Sequence, residues 1–524
     1  MKNKNTKIDF SPKQGVFPVF FEDCLDLRDP VKQFDRLMEE AGIEQYVRAE
    51  MGRRPGRPRY NPENMLKTIL FGYMDEGSIS LRKLEDNCKV NLRYQYLMEG
   101  EKPSYRSFGY FIEDLKESIE DIFYGITKEV AMTEGIDLKH LYIDGTKLEA
   151  NANKYTFVWK KSTEKNRYKL FGRITIMLEE INEVLQYEGM KLETKAEYMP
   201  EELEGMLQAY LDHYDLKESE FPHGKGRHKT VQQRYAERLR KHIQKLEEYG
   251  EKLRICGEDR NSYSKTDPGA TFMHMKKDHM RNDQTLPGYN IQIGVADEYI
   301  VVADIYRYRN DQDCFQPLME LFHDKYGKYP KYPVADAGYG SYNNYLYCEE
   351  KGMEKTMKFS MYEKTVKDKT YREDPFRAEN FGRDEEGNPI CPNGKRFTFS
   401  YRKAVPGNRY GRQMEIYTCE DCSGCPYAER CKKTDKNRSI NLNEELTSIH
   451  REVLRNLESI HGAYLRMNRS IQAEGAFGVI KQDRKYRRIS RRGHENVRLE
   501  VFLVILGYNL YKYCRKQTKL QEAA

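Results

Sequence analysis

The chain has 524 residues, well past the ~250–300 at which a single hydrophobic core stops growing, so several domains are expected. With 38% hydrophobic and 12% aromatic residues, wholesale disorder is excluded. The 89 Lys and Arg against 83 Asp and Glu leave a net charge of only +6, so an anionic partner has to be held by local basic patches.

Met1 to Phe10 is polar and has no apolar stretch, so no secretory signal is expected. Residues 1–135 read as a helical N-terminal region. Within it Arg53, Arg54, Arg57 and Arg59 form a basic arm without an acid, and its Pro55-Gly56-Arg57-Pro58 centre suits an extended path in a DNA minor groove. Pro62 opens a helix with Met65, Ile69, Leu70 and Met74 at helical spacing, ending at Gly77. Ser80 then N-caps Leu81–Asn87, with Glu85 in reach of the first turn. Two helices about a glycine turn fit a helix-turn-helix-like module and equally an ordinary bundle.

The character changes at Lys139. His140 to Asp144 reads as a short strand that ends in an acid at a Gly-Thr turn. Trp159, the single tryptophan, fits either packing or stacking on an unpaired base. Over residues 160–260 the seams Leu170, Ile174, Met177, Ile181, Val184 and Leu239, Leu246, Leu253 predict an antiparallel helical insertion. His274 and His279 are separated by four residues, one more than a helical metal pair requires, and are not expected to be ligands. Strand signals return at Tyr289–Ala296, Tyr299–Tyr306, Tyr332–Ala337 and Thr356–Ser360, with helices around Cys314–Tyr326 and Tyr342–Lys351. This order predicts a mixed α/β sheet.

Residues 362–445 read as an irregular insertion rich in Gly, Pro and Cys. Cys419, Cys422, Cys425 and Cys431 cluster tightly, with Cys391 upstream. Eleven cysteines, an odd number without a secretion signal, favour reduced thiols or ligands over disulfides. Structural Zn²⁺, unliganded thiols and an iron–sulfur cluster are the three readings of this group. The remainder is mostly helical. Residues 481–498 concentrate Lys481, Arg484, Lys485, Arg487, Arg488, Arg491, Arg492 and Arg498 against Asp483 and Glu495 alone, which fits a polyanion or a solvated basic face. The longest apolar run, Val501 to Leu506, is far short of the ~20 residues of a membrane span. A cytoplasmic protein without a membrane partner is expected.

Three acids stand out by position. Asp144 and Asp336 each end a predicted strand, where α/β sheets bind ligands, and Glu474 lies on a predicted helix, Arg469–Lys481. Lys481 follows Glu474 by seven residues, about two helical turns, so both face one side. Glu495 and Glu500 compete for the third position, but Glu500 immediately precedes an apolar run and reads as the start of a packing helix. Carboxylates are hard oxygen ligands suited to Mg²⁺ or Mn²⁺, and two such ions ~3.5–4 Å apart can drive an in-line phosphoryl displacement.

Asp144-Gly-Thr-Lys-Leu-Glu-Ala-Asn-Ala-Asn, Asp267-Pro-Gly-Ala, Gly288-Tyr-Asn-Ile-Gln, Ala335-Asp-Ala-Gly-Tyr, Glu474-Gly-Ala-Phe-Gly-Val-Ile-Lys481 and Gly507-Tyr-Asn-Leu resemble the DDE transposases of bacterial insertion sequences. The resemblance implies a ribonuclease H-like catalytic domain over 136–524, interrupted by the helical and the Cys-containing insertions. It implies Asp144, Asp336 and Glu474 as catalytic ligands of two Mg²⁺ or Mn²⁺ ions. Cleavage of double-stranded DNA at element ends, strand transfer into target DNA, and a homodimer assembled on DNA are also implied, in a nucleoid-associated bacterial protein. A binding-only regulator derived from a transposase, or a nuclease that only hydrolyses, are the alternatives. One departure is visible. The Tyr and Arg of the superfamily's Tyr-x2-Arg-x3-Glu-x6-Lys signature are Met467 and Ser470 here, leaving Arg466 or Arg469 to make the phosphate contact.

Overall fold

A computed structural model of the chain describes residues 20–48, 60–222, 228–258, 260–275 and 284–523. The expected basic arm, Arg53, Arg54, Arg57 and Arg59, and also His279, lie outside these residues.

The N-terminal helices begin where the sequence supplies caps. Asp29 accepts from Val31 N ahead of Pro30–Glu40, Asn61 from Glu63 N ahead of Pro62–Glu76, and Ser80 from Lys83 N ahead of Leu81–Val90. Every residue from Asn64 to Met74 is buried, so Pro62–Glu76 is a central helix rather than one half of an exposed reading head. It packs along the C-terminal helix His494–Ala523. There a Cβ on Gly507 would stand only 2.5 Å from Tyr73 O, so the approach requires glycine. Leu81–Val90 buries Leu84, Asn87 and Cys88 and leaves Arg82, Lys83 and Lys89 exposed. Glu85 does not turn back to its own helix. It accepts from Tyr105 N at 2.8 Å and pairs with Lys89, tying this helix to Tyr105–Asp114.

The main sheet is mixed. Strand β1 (His140–Glu149) lies between β5 (Thr285–Ala296), antiparallel to it, and β7 (Tyr332–Val334), parallel to it. Of the strands between, β2 (Phe157–Trp159) and β3 (Ser262–Ser264) pair with each other, β4 (Thr271–His274) pairs with the start of β5, and β6 (Tyr299–Tyr306) pairs with the rest. The expected strand over Thr356–Ser360 reduces to one bridge, Met357 to Ala335. One continuous core joins the N-terminal helices, this sheet, the helix Gln312–Tyr326 and the C-terminal helix.

β1 does not stop at Asp144. It runs on to Glu149, with Gly145 opposite Gln292 and Thr146 opposite Ile291. The Asp-Gly pair reads as a turn in isolation, but this glycine has a packing reason, because a Cβ there would overlap the Gln292 amide.

The helical insertion is a three-helix unit with its own core. Lys160–Leu185 and Val231–Cys256 are held at their base by the antiparallel β2–β3 pair, and Pro200–His213 packs on Val231–Cys256. In the first seam Leu185 is fully buried and Val184 is exposed, because 3.6 residues per turn carries the apolar stripe one position on. Leu239 and Leu246 are buried and Leu253 is half-buried. Among the described residues no helix is long and apolar enough to cross a membrane.

The C-terminal helix also anchors the basic segment ahead of it. Glu500 is 3% exposed and accepts from Tyr486 Oη, Ser490 N, Ser490 Oγ and Arg491 N at 2.8–3.1 Å. Glu500→Ala leaves those donors without an acceptor and is expected to destabilise the protein by about 2–3 kcal/mol. A thermal unfolding midpoint unchanged from wild type would contradict this anchoring.

Candidate active site

Asp144 lies midway along β1, and Asp336 follows the end of β7, the neighbouring parallel strand, so the main sheet itself brings the two acids side by side. Asp336 Oδ1 is turned inward by Gly338 N, which donates to it at 2.7 Å. Glu474 reaches the same place from the helical segment after Ile460–Arg469. That segment is not the regular helix the sequence predicts. Ser470–Glu474 and Val479–Asp483 are π-helical turns flanking Gly475–Gly478, an irregularity that recurs at functional sites.

Arg469 links the acids. Its Nη2 pairs with Glu474 Oε1, and its Nη1 stands 3.9 Å from Asp144 Oδ1, enclosed and without a hydrogen-bond acceptor. Ser470 Oγ donates to Glu474 Oε2 at 2.9 Å. The signature's arginine position is thus filled differently. Ser470 holds the acid directly, and the guanidinium comes from Arg469, one residue earlier. Arg466 is bound to Glu458 and Tyr362 and takes no part.

Burial pushes the Asp144 carboxyl up to about 6; Asp336 and Glu474 push it the same way, while Arg469 and the Gly145 N–H pull it down. Asp144 therefore feels both of the other acids electrostatically. Among the described residues, however, no three His, Cys, Asp or Glu side chains already converge at metal-binding distance. Glu474, half exposed, is held on Arg469 instead. By chemistry carboxylate donors beside an under-satisfied resident cation suit a hard divalent cation.

Four further residues belong to this site and were not legible as such. Asp311, just before the helix Gln312–Tyr326, accepts on Oδ1 from Asn290 Nδ2 at 3.1 Å and from Gln292 Nε2 at 3.0 Å. Gln292 Oε1 in turn accepts from Tyr339 Oη. Burial, with Asp311, Asp144 and Asp336 nearby, pushes the Tyr339 phenol well above its usual value, so it stays a neutral donor. A Cβ on Gly338 would lie 2.9 Å from Asp336 Oδ1 and 3.4 Å from Asp311 Oδ2, so both carboxylates open on one small space. The only sequence signal for this network is the alternation of Asn290 and Gln292 at buried positions of a strand, where unpaired amides would be costly.

Lys481 donates to Thr146 Oγ1, two residues beyond Asp144 on β1. The basic segment continues along the end of the same strand, with Arg488 bridging Glu149 and Ile489 N donating to Glu149 O. Lys485, Arg487, Arg488 and Arg492 are exposed there, and Arg491 is partly buried near Glu113. Arg484 departs from expectation. It is 9% exposed and donates to Tyr73 O and Met74 O, which ties the segment to the central helix and leaves nothing to offer a phosphate. Of the competing acids, Glu495 is exposed beside His494, and Glu500 is the buried anchor described above. Trp159 is 38% exposed and packs edge-on against Phe157 and Phe272, and His274 is exposed.

Residues 390–514 match the family described as Transposase DDE domain, and residues 19–114 match that described as Transposase domain (DUF772). Together they support a DDE transposase of an insertion element. The first match contains Glu474, Lys481 and the basic segment; Asp144 and Asp336 precede it in the chain. No curated protein and no solved structure matches.

The raised Asp144 value has a consequence for stability. In the unfolded chain this carboxyl titrates near 3.9, so its folded-state ionisation is unfavourable. The contribution is fully favourable below about pH 4 and is lost as pH rises through about 6. In the protein without divalent metal, Asp144→Asn is therefore expected to raise stability at pH 8 by about 1–3 kcal/mol, with the gain vanishing below about pH 4. Unfolding measured in a chelator at the two pH values checks this, and a variant less stable than wild type at pH 8 would contradict it.

Proposed function

We propose that the protein is a divalent-metal-dependent transposase that cleaves DNA at the ends of an insertion sequence and joins those ends to target DNA. The observation that carries this reading is that Asp144 lies within electrostatic reach of Asp336 and Glu474, beside a basic segment running along the same strand. The strand order β6–β5–β1–β7, with β1 antiparallel to β5 and parallel to β7, supports a ribonuclease H-like sheet.

In this reading Asp144, Asp336 and Glu474 would hold two Mg²⁺ or Mn²⁺ ions. When bound, such ions supply activation of a water or 3′ hydroxyl and stabilisation of the leaving oxygen. The chain's own groups do the rest. Tyr339, Gln292 and Asp311 fix the floor under the aspartates, so the carboxylates meet a phosphate without reorganising. Lys481, Lys485, Arg487, Arg488, Arg491 and Arg492 would hold the backbone phosphates of double-stranded DNA, with Arg484 a scaffold residue. Arg469 has to exchange Glu474 for another anion as the acid takes up its role, and a DNA phosphate is the anion at hand. Pairing of two element ends calls for at least two protomers on the DNA.

Incubation with element-end DNA, target DNA and Mg²⁺ is expected to give joined products, whereas hydrolysis without joining would reduce the protein to a nuclease. Asp144→Ala is expected to lower cleavage by at least about 10³-fold while end binding persists, since the carboxylate holds metal rather than DNA. Near-normal cutting by this variant would sink the assignment.

Changing Arg487, Arg488, Arg491 and Arg492 together to Ala is expected to flatten the dependence of log K on log salt by roughly 0.9 per lost phosphate contact. An unchanged slope would make the segment a solvated face.

A further inference from the structure

The chain between Asp336 and Glu474 carries a small unit built on the strands Phe397–Ala404, Gln413–Cys419 and Ser439–Leu442 and the short pair Gly382–Arg383 with Pro389–Ile390. Its own core is thin. One cluster joins Phe381, Phe397, Cys419, Ile440 and Leu442, with Ala378, Cys391, Tyr417 and Cys422 half-buried around them, and Phe376 and Ile416 are buried outside it. Of the eight residues in Phe397–Ala404 only Phe397 is buried. So little apolar surface is marginal for a unit of this size, and three of the residues that line it are free cysteines.

We propose that this unit binds one structural Zn²⁺ through Cys391, Cys419, Cys422 and Cys425, and that the metal completes its core. The four thiols are neighbours by several independent contacts. Cys419 is buried in the small core, with Cys391 and Cys422 packed against the same cluster. Cys391 opens a tight turn, Cys391-Pro-Asn-Gly394, closed by Gly394 N on Cys391 O at 2.8 Å, with Gly394 at φ +73°. Asn393 of that turn donates to Cys425 Sγ at 3.6 Å, which places the fourth thiol against the turn that carries the first.

The surroundings suit sulfur that carries negative charge. Arg438 N donates to Cys422 Sγ at 3.4 Å, the kind of main-chain contact that supports a metal-bound thiolate from outside the ligand shell. Cys431 is set apart. Its Sγ accepts from Arg438 Nη1 at 2.9 Å, so it is satisfied by a guanidinium and left out of the ligand set. Without metal the sulfurs have other partners, Cys419 the Asp421 carbonyl, Cys422 the Arg438 N–H, Cys425 Asn393 and Cys431 the Arg438 guanidinium, and among the described residues no three of them are gathered at one point. Metal binding replaces the thiol protons and gathers four sulfurs on a tetrahedron, for which two-residue spacings such as Cys419 to Cys422 are well suited. The proposal does not depend on the catalytic reading, because carboxylates supply oxygen and this site supplies only sulfur.

The test is metal analysis of the full chain purified under reducing conditions without added zinc. One zinc per chain is expected, surrounded in X-ray absorption by four sulfurs at about 2.3 Å. Cys391→Ser and Cys419→Ser should lose it, and Cys431→Ser should keep it. Where a serine variant fails to fold, titration of the wild-type thiols with a mercurial should release the zinc to an indicator dye only as the liganding sulfurs are modified. Removal of the zinc should lower the thermal midpoint and open residues 376–442 to protease. Iron with acid-labile sulfide, oxygen ligands around the zinc, or metal-free protein of wild-type stability would each overturn the proposal. Zinc kept by Cys391→Ser and lost by Cys431→Ser would overturn the ligand set.

Discussion

A carboxylate enclosed in a sheet beside two others has to be protonated or compensated by a positive charge, and this constraint organises the centre of the protein. Asp144 is the most enclosed of the three acids, and its neighbours Asp336 and Glu474 add repulsion to the cost of burial. The compensation comes from one guanidinium, Arg469, which touches Glu474 and reaches only to 3.9 Å of Asp144. A single guanidinium held on Glu474 and only near Asp144 is a poor balance. It makes the site a place where further positive charge is strongly favoured, and the proposed reaction uses that same imbalance to draw in divalent ions.

The rest of the fold keeps this imbalance in place. β1 carries Asp144 at its middle, paired with Ile293 of β5 two residues past the end of the pairing with β7, so the acid cannot withdraw without breaking the β5 ladder. Gly145 lets the Gln292 side chain cross the strand, and Gln292 joins Tyr339 to Asp311 beneath the aspartates. The C-terminal helix closes the arrangement from the other side. It packs on the central N-terminal helix, Glu500 and Arg484 hold the basic segment to these two helices, and Ile489 N on Glu149 O holds it to the end of β1. The two terminal segments that match transposase families are therefore parts of one core.

Local signals were readable wherever a cap or an apolar period decides the outcome. The Ser80 cap, the strand Tyr299–Tyr306 and the buried seam from Leu170 to Ile181 follow from composition alone. The three acids were legible through motif resemblance, since an isolated Asp-Gly reads as a turn. Non-local features were not legible. The Asp311–Gln292–Tyr339 network depends on the register between β1 and β5 and on where Gln312–Tyr326 begins. Arg484 looked like its basic neighbours because a charge count carries no information on burial. The two π-helical turns around Glu474 have no composition signature.

The central claim, that Asp144, Asp336 and Glu474 share a divalent-metal site, is tested most directly by replacing the metal with Fe²⁺ and cutting the backbone with locally generated hydroxyl radicals. The account predicts cleavage confined to three segments, around Asp144, Asp336 and Glu474, that disappears when excess Mg²⁺ competes. Cleavage that omits any of the three, or that clusters at Glu495 instead, would contradict it.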